Sequence, residues 1–148
     1  ATLTAPALVK AGNIYVRENA TLTAPALAEV AGYIYVMENA TLTAPALVKA
    51  GNIYVRENAT LTAPALAEVA GYIDVMKNAT LTAPALVKAG NIYVMENATL
   101  TAPALAEVAG YIDVMKNATL TAPALVKAGY IYVRENATLT APKLKRKL

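Results

Sequence analysis

Two sets of side chains in this sequence recur at spacings from which chemistry would have to come. The first bears hydroxyls: the tripeptide Thr-Leu-Thr occurs eight times, as Thr2 and Thr4, Thr21 and Thr23, Thr41 and Thr43, Thr60 and Thr62, Thr80 and Thr82, Thr99 and Thr101, Thr119 and Thr121, and Thr138 and Thr140. The second is aromatic and acidic: Tyr15, Tyr35, Tyr54, Asp74, Tyr93, Asp113 and Tyr132 share one repeated position, with Asn or Tyr two residues before and Arg or Met two residues after. A hydroxyl becomes a nucleophile only beside a base that takes its proton, and catalytic carboxylates need a distinct, desolvated pair. Here the threonines repeat with the same neighbours, and Ser, Cys and His are absent, which removes the usual Ser–His and Cys–His pairs. The expectation is that the chain is not an enzyme and uses no cofactor or metal. What the arrays offer is surface chemistry: a threonine face of methyls and hydroxyls, and a tyrosine face able to form a binding surface for peptide or glycan.

Such arrays need a scaffold that repeats. Gly falls at 12, 32, 51, 71, 90, 110 and 129, alternately 20 and 19 residues apart, and Pro keeps the same rhythm from Pro6 to Pro142. The unit is a 39-residue double coil, one half reading NATLTAPALVKAGNIYVRE and the other NATLTAPALAEVAGYIYVME. Their difference in length lies between Pro and Gly, so that connection must bulge in alternate coils. Two stretches per coil alternate with the period of a half-buried strand. In ATLTA, Leu22 and its equivalents point inward between Thr21 and Thr23; in GYIYVM, Ile34 and Val36 point inward and Tyr33, Tyr35 and Met37 outward. The β-branched content of both favours strand. Gly at the start of the second strand is expected to supply a positive φ, Pro25 to end the first strand, and PALAEVA to have the length for one helical turn.

A coil of this length has a contour of about 65 Å, enough for two strands of about five residues and two turns. Stacking coils about 4.8 Å apart pairs each strand with its own copy above and below. The predicted fold is therefore all-β: a parallel β-solenoid of seven 19/20-residue coils plus a partial C-terminal coil, with two parallel sheets, spanning residues 1–142. Equivalent residues then form columns. Lys10, Glu29, Lys49, Glu68, Lys88, Glu107 and Lys127 alternate in sign, and Glu18, Glu38, Glu57, Lys77, Glu96, Lys116 and Glu135 alternate from Glu57 onward. Opposite charges at this spacing attract, by about 0–1 kcal/mol per exposed pair, and favour one register. Asn19, Asn39, Asn58, Asn78, Asn97, Asn117 and Asn136 recur at a turn, where a ladder of side chains bonded to the backbone is expected. Each also opens an Asn-Ala-Thr glycosylation sequon, of consequence only for a protein secreted by a eukaryotic host.

Composition excludes further classes. At 57% hydrophobic residues a continuous core is available, and without Cys no disulfide forms. Charged and polar residues interrupt every copy, so no apolar run spans a bilayer. The chain opens on a repeat at Ala1 without an initiator Met, which reads as a trimmed chain with no signal peptide, expressed in a recombinant cytoplasm. The formal charge is +3, but Lys143, Lys145, Arg146 and Lys147 lie in the last six positions, leaving residues 1–142 at −1. The body is not a phosphate-tracking surface, and no nucleic-acid or membrane partner is expected.

Two resemblances follow from these motifs. The Thr-Leu-Thr columns, about 7 Å apart and repeating about every 4.8 Å, resemble the Thr-X-Thr array of β-solenoid insect antifreeze proteins, which implies a lattice matched to water spacings on ice. The coil LTAPALAEVAGYIYVMEN is similar to a shortened leucine-rich-repeat-like unit of the receptor L-domain kind, which implies a right-handed solenoid used for adhesion or binding and transfers no catalytic residue. The near-identity of the copies reads as an idealised, designed sequence whose role is that of a structural scaffold. Its ends set the expected partner. KLKRKL at 143–148 is expected to form a charged cap over the last coil and ATLTAP to leave the N-terminal coil open, so self-association is expected through the N-terminal end.

Overall fold

The structure, a computed structural model, describes residues 2–144. The chain is all-β: stacked coils form a parallel β-solenoid with two sheets, one of eight strands and one of ten among the described residues. The eight-stranded sheet is made of the Thr-Leu-Thr triplets, and identical residues pair along it: Thr21 with Thr41, Thr41 with Thr60, Thr60 with Thr80. The second sheet carries Ile, Val and the tyrosine position, again in register, as in Ile34 with Ile53 and Ile53 with Ile73. A hydrophobic core runs between the sheets from Ile14 to Leu125, with Leu42, Leu61, Leu81, Leu100 and Leu120 sealed beneath the threonines and Ile53, Ile73 and Ile92 beneath the tyrosines.

Local chemistry explains both turns. At the first, Ala59 N–H donates to Arg56 O at 3.0 Å, so Arg56-Glu57-Asn58-Ala59 is a β-turn with Asn58 third, at φ 61°. A type II turn demands a left-handed third residue, and Asn is the side chain after Gly that tolerates it best. All seven equivalents, from Asn19 to Asn136, lie at φ 59–63°. The ladder expected from their side chains is thus corrected: these asparagines act through backbone conformation, and Asn58 N–H donates to Lys77 O of the next coil at 3.1 Å. At the second turn Leu47 N–H donates to Ala44 O at 3.2 Å, placing Pro45 second, where its fixed φ is already correct.

The expected bulge falls between Val30 and Tyr33 where Glu29–Val36 meets Lys49–Val55, and again between Val108 and Tyr111. The extra residues Ala31 and Ala109 are exposed. An inserted residue breaks the ladder locally. The gap is closed by side chains from the shorter coil below: Asn13, Asn52 and Asn91 each accept, through Oδ1, the N–H of Tyr33, Tyr72 and Tyr111 at 2.8 Å. This is why Asn alternates with Tyr at that position.

Two local expectations are overturned. No glycine has a positive φ. At Gly51, Gly90 and Gly129 the requirement is close approach instead, for a Cβ on Gly51 would lie 2.5 Å from Gly32 O and 2.6 Å from Ala31 O of the coil below. PALAEVA forms no helical turn, because Pro25 and Ala26 turn the chain and Glu29–Val36 is already strand. Its N–H and C=O groups find partners on adjacent coils, which a lone helical turn would leave unmet. The alternating Lys and Glu column pairs in register, Lys49 with Glu68 and Lys88 with Glu107 among them. In the second charged column Lys116 and Glu135 approach to 4.0 Å. Of the basic cap, Leu144 packs against the core and Lys143 is exposed; Lys145, Arg146, Lys147 and Leu148 lie outside the described residues, as does Ala1.

Candidate surface sites

The solenoid brings the sixteen threonines together on one face as two columns. In interior coils each threonine is half-buried and the leucine between the pair is fully buried, so the two columns stand over a sealed floor. Thr2, Thr4, Thr138 and Thr140 in the outer coils are exposed. Strict register follows from the period-two pleat, since a one-residue slip would bring the threonines inside.

The opposite face is chemically mixed. Its central column pairs Tyr15 with Tyr35, Tyr35 with Tyr54, Tyr54 with Asp74, Asp74 with Tyr93, Tyr93 with Asp113 and Asp113 with Tyr132. The first three tyrosines stack, with ring centroids 5.4 and 4.7 Å apart, and Tyr33 leans against Tyr35 and Tyr54 at 6.1 Å. Above Tyr54 the stack is broken by the two aspartates, and Tyr93 turns to Tyr72 at 6.3 Å instead. Burial pushes the phenols of Tyr54 and Tyr93 up from their ordinary value, helped by Tyr35 beside the first and Tyr72 beside the second.

The aspartates differ in environment. Asp113 is buried, 8% exposed, and accepts two hydrogen bonds from Arg134: Nε to Oδ1 and Nη2 to Oδ2, both 3.0 Å. The guanidinium lies 5.8 Å from the centroid of the Tyr132 ring. This bidentate fork raises the Arg134 pKa further, first through the hydrogen bonds and then through the opposite charge. Asp74 is half-buried, and its Oδ1 is buried without a hydrogen-bond partner. Desolvation pushes its carboxyl above the ordinary value, against the weaker opposing pull of Arg56, whose own Nε is also buried and unpartnered. The fork was not legible in the sequence, where the two aspartates stand only as members of the tyrosine position. The signal that would have found it is the spacing of 21 residues between Asp113 and Arg134, one coil up and two residues along the same outward face.

Among the described residues no group of three His, Cys, Asp or Glu side chains is arranged to hold a metal ion, and no helix is long and apolar enough to cross a membrane. No protein-family model matches this chain, and neither a curated protein nor a solved structure matches it.

Proposed function

We propose that this chain is a non-catalytic structural scaffold, an idealised solenoid on a leucine-rich-repeat-like coil, whose work is to present its faces at fixed spacing and to assemble. The observation that supports this reading is the pairing of identical residues with themselves along the threonine sheet, which multiplies one surface pattern. Assembly would start at the N-terminal coil, where Leu3 is 64% exposed. The test is modularity. Inserting one further 39-residue unit should lengthen the particle by about 9.6 Å, two strand spacings, with unchanged circular dichroism per residue. A particle that grows in girth instead, measured by solution scattering, would end the scaffold reading. Deleting residues 143–148 should raise the mass seen by light scattering, and an unchanged mass would remove self-association from it.

The register of the threonine columns favours a second reading, ice binding by the threonine face. Replacing Thr60 and Thr62 by Tyr should abolish ice-crystal shaping and leave the far-ultraviolet spectrum unchanged. A parent chain that shapes no ice at millimolar concentration would dispose of this reading and leave the scaffold standing.

A further inference from the structure

One corner of the coil, just before the second sheet, alternates in both size and charge. The column from Val9 to Val126 alternates Val with Ala, one coil directly above the last: Ala28 N–H donates to Val9 O at 2.7 Å, and Val48 N–H to Ala28 O and Ala67 N–H to Val48 O at 2.8 Å. Its valines are exposed, Val48 and Val87 by 41% each. The next residue along the chain gives the column from Lys10 to Lys127, which alternates in the same phase, so that each exposed Val is followed by Lys and each Ala by Glu. These charges do not close on one another. In the other charged column Lys116 reaches Glu135 at 4.0 Å, but among the described residues no lysine of this one comes as close to a carboxylate. Glu107 and Lys127 stand instead on the rim of a shallow depression of 340 Å³.

We propose that this corner docks a second copy of the same chain, laid side by side and antiparallel about a two-fold axis that crosses the solenoid midway between two coils. Symmetry decides among the arrangements. A two-fold parallel to the solenoid, or one passing through a coil, sets Lys against Lys and Val against Val. An axis between coils sets every Val-Lys coil against an Ala-Glu coil of the partner. With the axis between Glu68 and Lys88, Glu68 faces the partner's Lys88, Lys49 the partner's Glu107 and Glu29 the partner's Lys127, each contact being made twice. Val48 then meets the partner's Ala106, in the gap between two valines about 9.6 Å apart. Size and charge select the same register. The stripe is one corner wide, short of the roughly 1,000 Å² that a stable interface buries, so the dimer is weak and sensitive to salt. The proposal goes beyond the scaffold reading and uses neither the N-terminal coil nor the threonine face.

The test is sedimentation equilibrium of the whole chain up to millimolar concentration. The parent should dimerise, and raising the salt from about 0.05 to about 0.5 M should weaken the dimer. An acidic variant, Lys49→Glu with Lys88→Glu, and a basic one, Glu68→Lys with Glu107→Lys, should each dimerise at least about tenfold more weakly, and mixing the two should restore the dimer. Should either fail to fold, carbodiimide coupling of the parent decides, because it joins a carboxylate to an amine in contact. The covalent dimer should carry links such as Lys49 to Glu107 or Glu29 to Lys88, which lie three coils, about 14 Å, apart within one chain. A parent that stays monomeric, variants that lose stability in urea but keep the parent's association, a mixture no tighter than its components, or coupled dimers with no link in this column would each overturn the inference. None of these outcomes bears on the growth in length per inserted unit, which tests the scaffold by itself.

Discussion

Arg134 holds Asp113 by a two-bonded fork, 3.0 Å at each contact, across the step between two adjacent coils. Asp113 is the charged side chain that is buried among the described residues, so its satisfaction rests on this one partner. Removing one member of such a pair strands the other without solvation. Arg134→Met should therefore lower the urea midpoint, while Arg17→Met, in the same column but exposed and facing no aspartate, should leave it unchanged. Adding Asp113→Tyr to Arg134→Met, which restores the residue that most coils carry there, should recover much of the loss. Equal midpoints for the two arginine variants would show that the fork contributes nothing.

Two glycines at the same repeat position should answer alanine with opposite sign. On Gly90 a Cβ would sit 2.5 Å from Gly71 O and 2.8 Å from Ala70 O, both backbone atoms of the coil below. Relief requires the coils to part, so Gly90→Ala should cost about 1–3 kcal/mol, as overpacking does. Gly12 meets nothing within 4 Å and its φ is not positive. Gly12→Ala should be neutral or stabilise by about 0.4–1 kcal/mol through the unfolded chain. Denaturant unfolding of the two variants decides it.

Asn58, at φ 61°, makes the turn by adopting a conformation that a Cβ-bearing residue without a short polar side chain disfavours. Asn58→Ala should cost about 1–2 kcal/mol and Asn58→Gly should cost little. If both cost the same, the side-chain ladder and not the backbone would be the reason for asparagine.

The Asp74 carboxyl should titrate above its ordinary value of 3.8, because burial disfavours the ion more than Arg56 favours it. A carboxyl whose pKa is raised in the folded state binds its proton more tightly there than in the unfolded chain. Its contribution to stability is complete below the ordinary value and is lost as the pH rises through the folded one. Arg56, Tyr54 and Tyr93 face it, and the two phenols, themselves raised above their ordinary value, stay neutral there. Relative to Asp74→Asn, the parent should lose ground as the pH rises from the ordinary carboxylate value through the raised one, seen as a widening gap in urea midpoints. A gap that does not move would mean a carboxylate solvated as in water.

The rhythm of Gly and Pro, the period-two alternation around Leu22 and Ile34 and the 19/20 alternation were enough to specify stacked coils, two parallel sheets, outward threonines and a bulge in alternate connections. These are legible because each depends on the repeat itself: when every copy is nearly the same, the only consistent arrangement puts each residue beside its own kind. The reason for a given residue was less legible wherever it lies in the coil above or below. Gly51 was expected to supply a positive φ and proves to be a matter of 2.5 Å to a neighbouring carbonyl; Asn52 was read as part of an outer face and proves to mend the bulge at Tyr72. The fork between Asp113 and Arg134, and the bare Oδ1 of Asp74, were decided by tertiary structure alone. Local sequence sets which face a side chain takes, because the pleat alternates every residue. Which charged neighbour it reaches depends on a diagonal across two coils, and on burial strong enough to make that single contact matter.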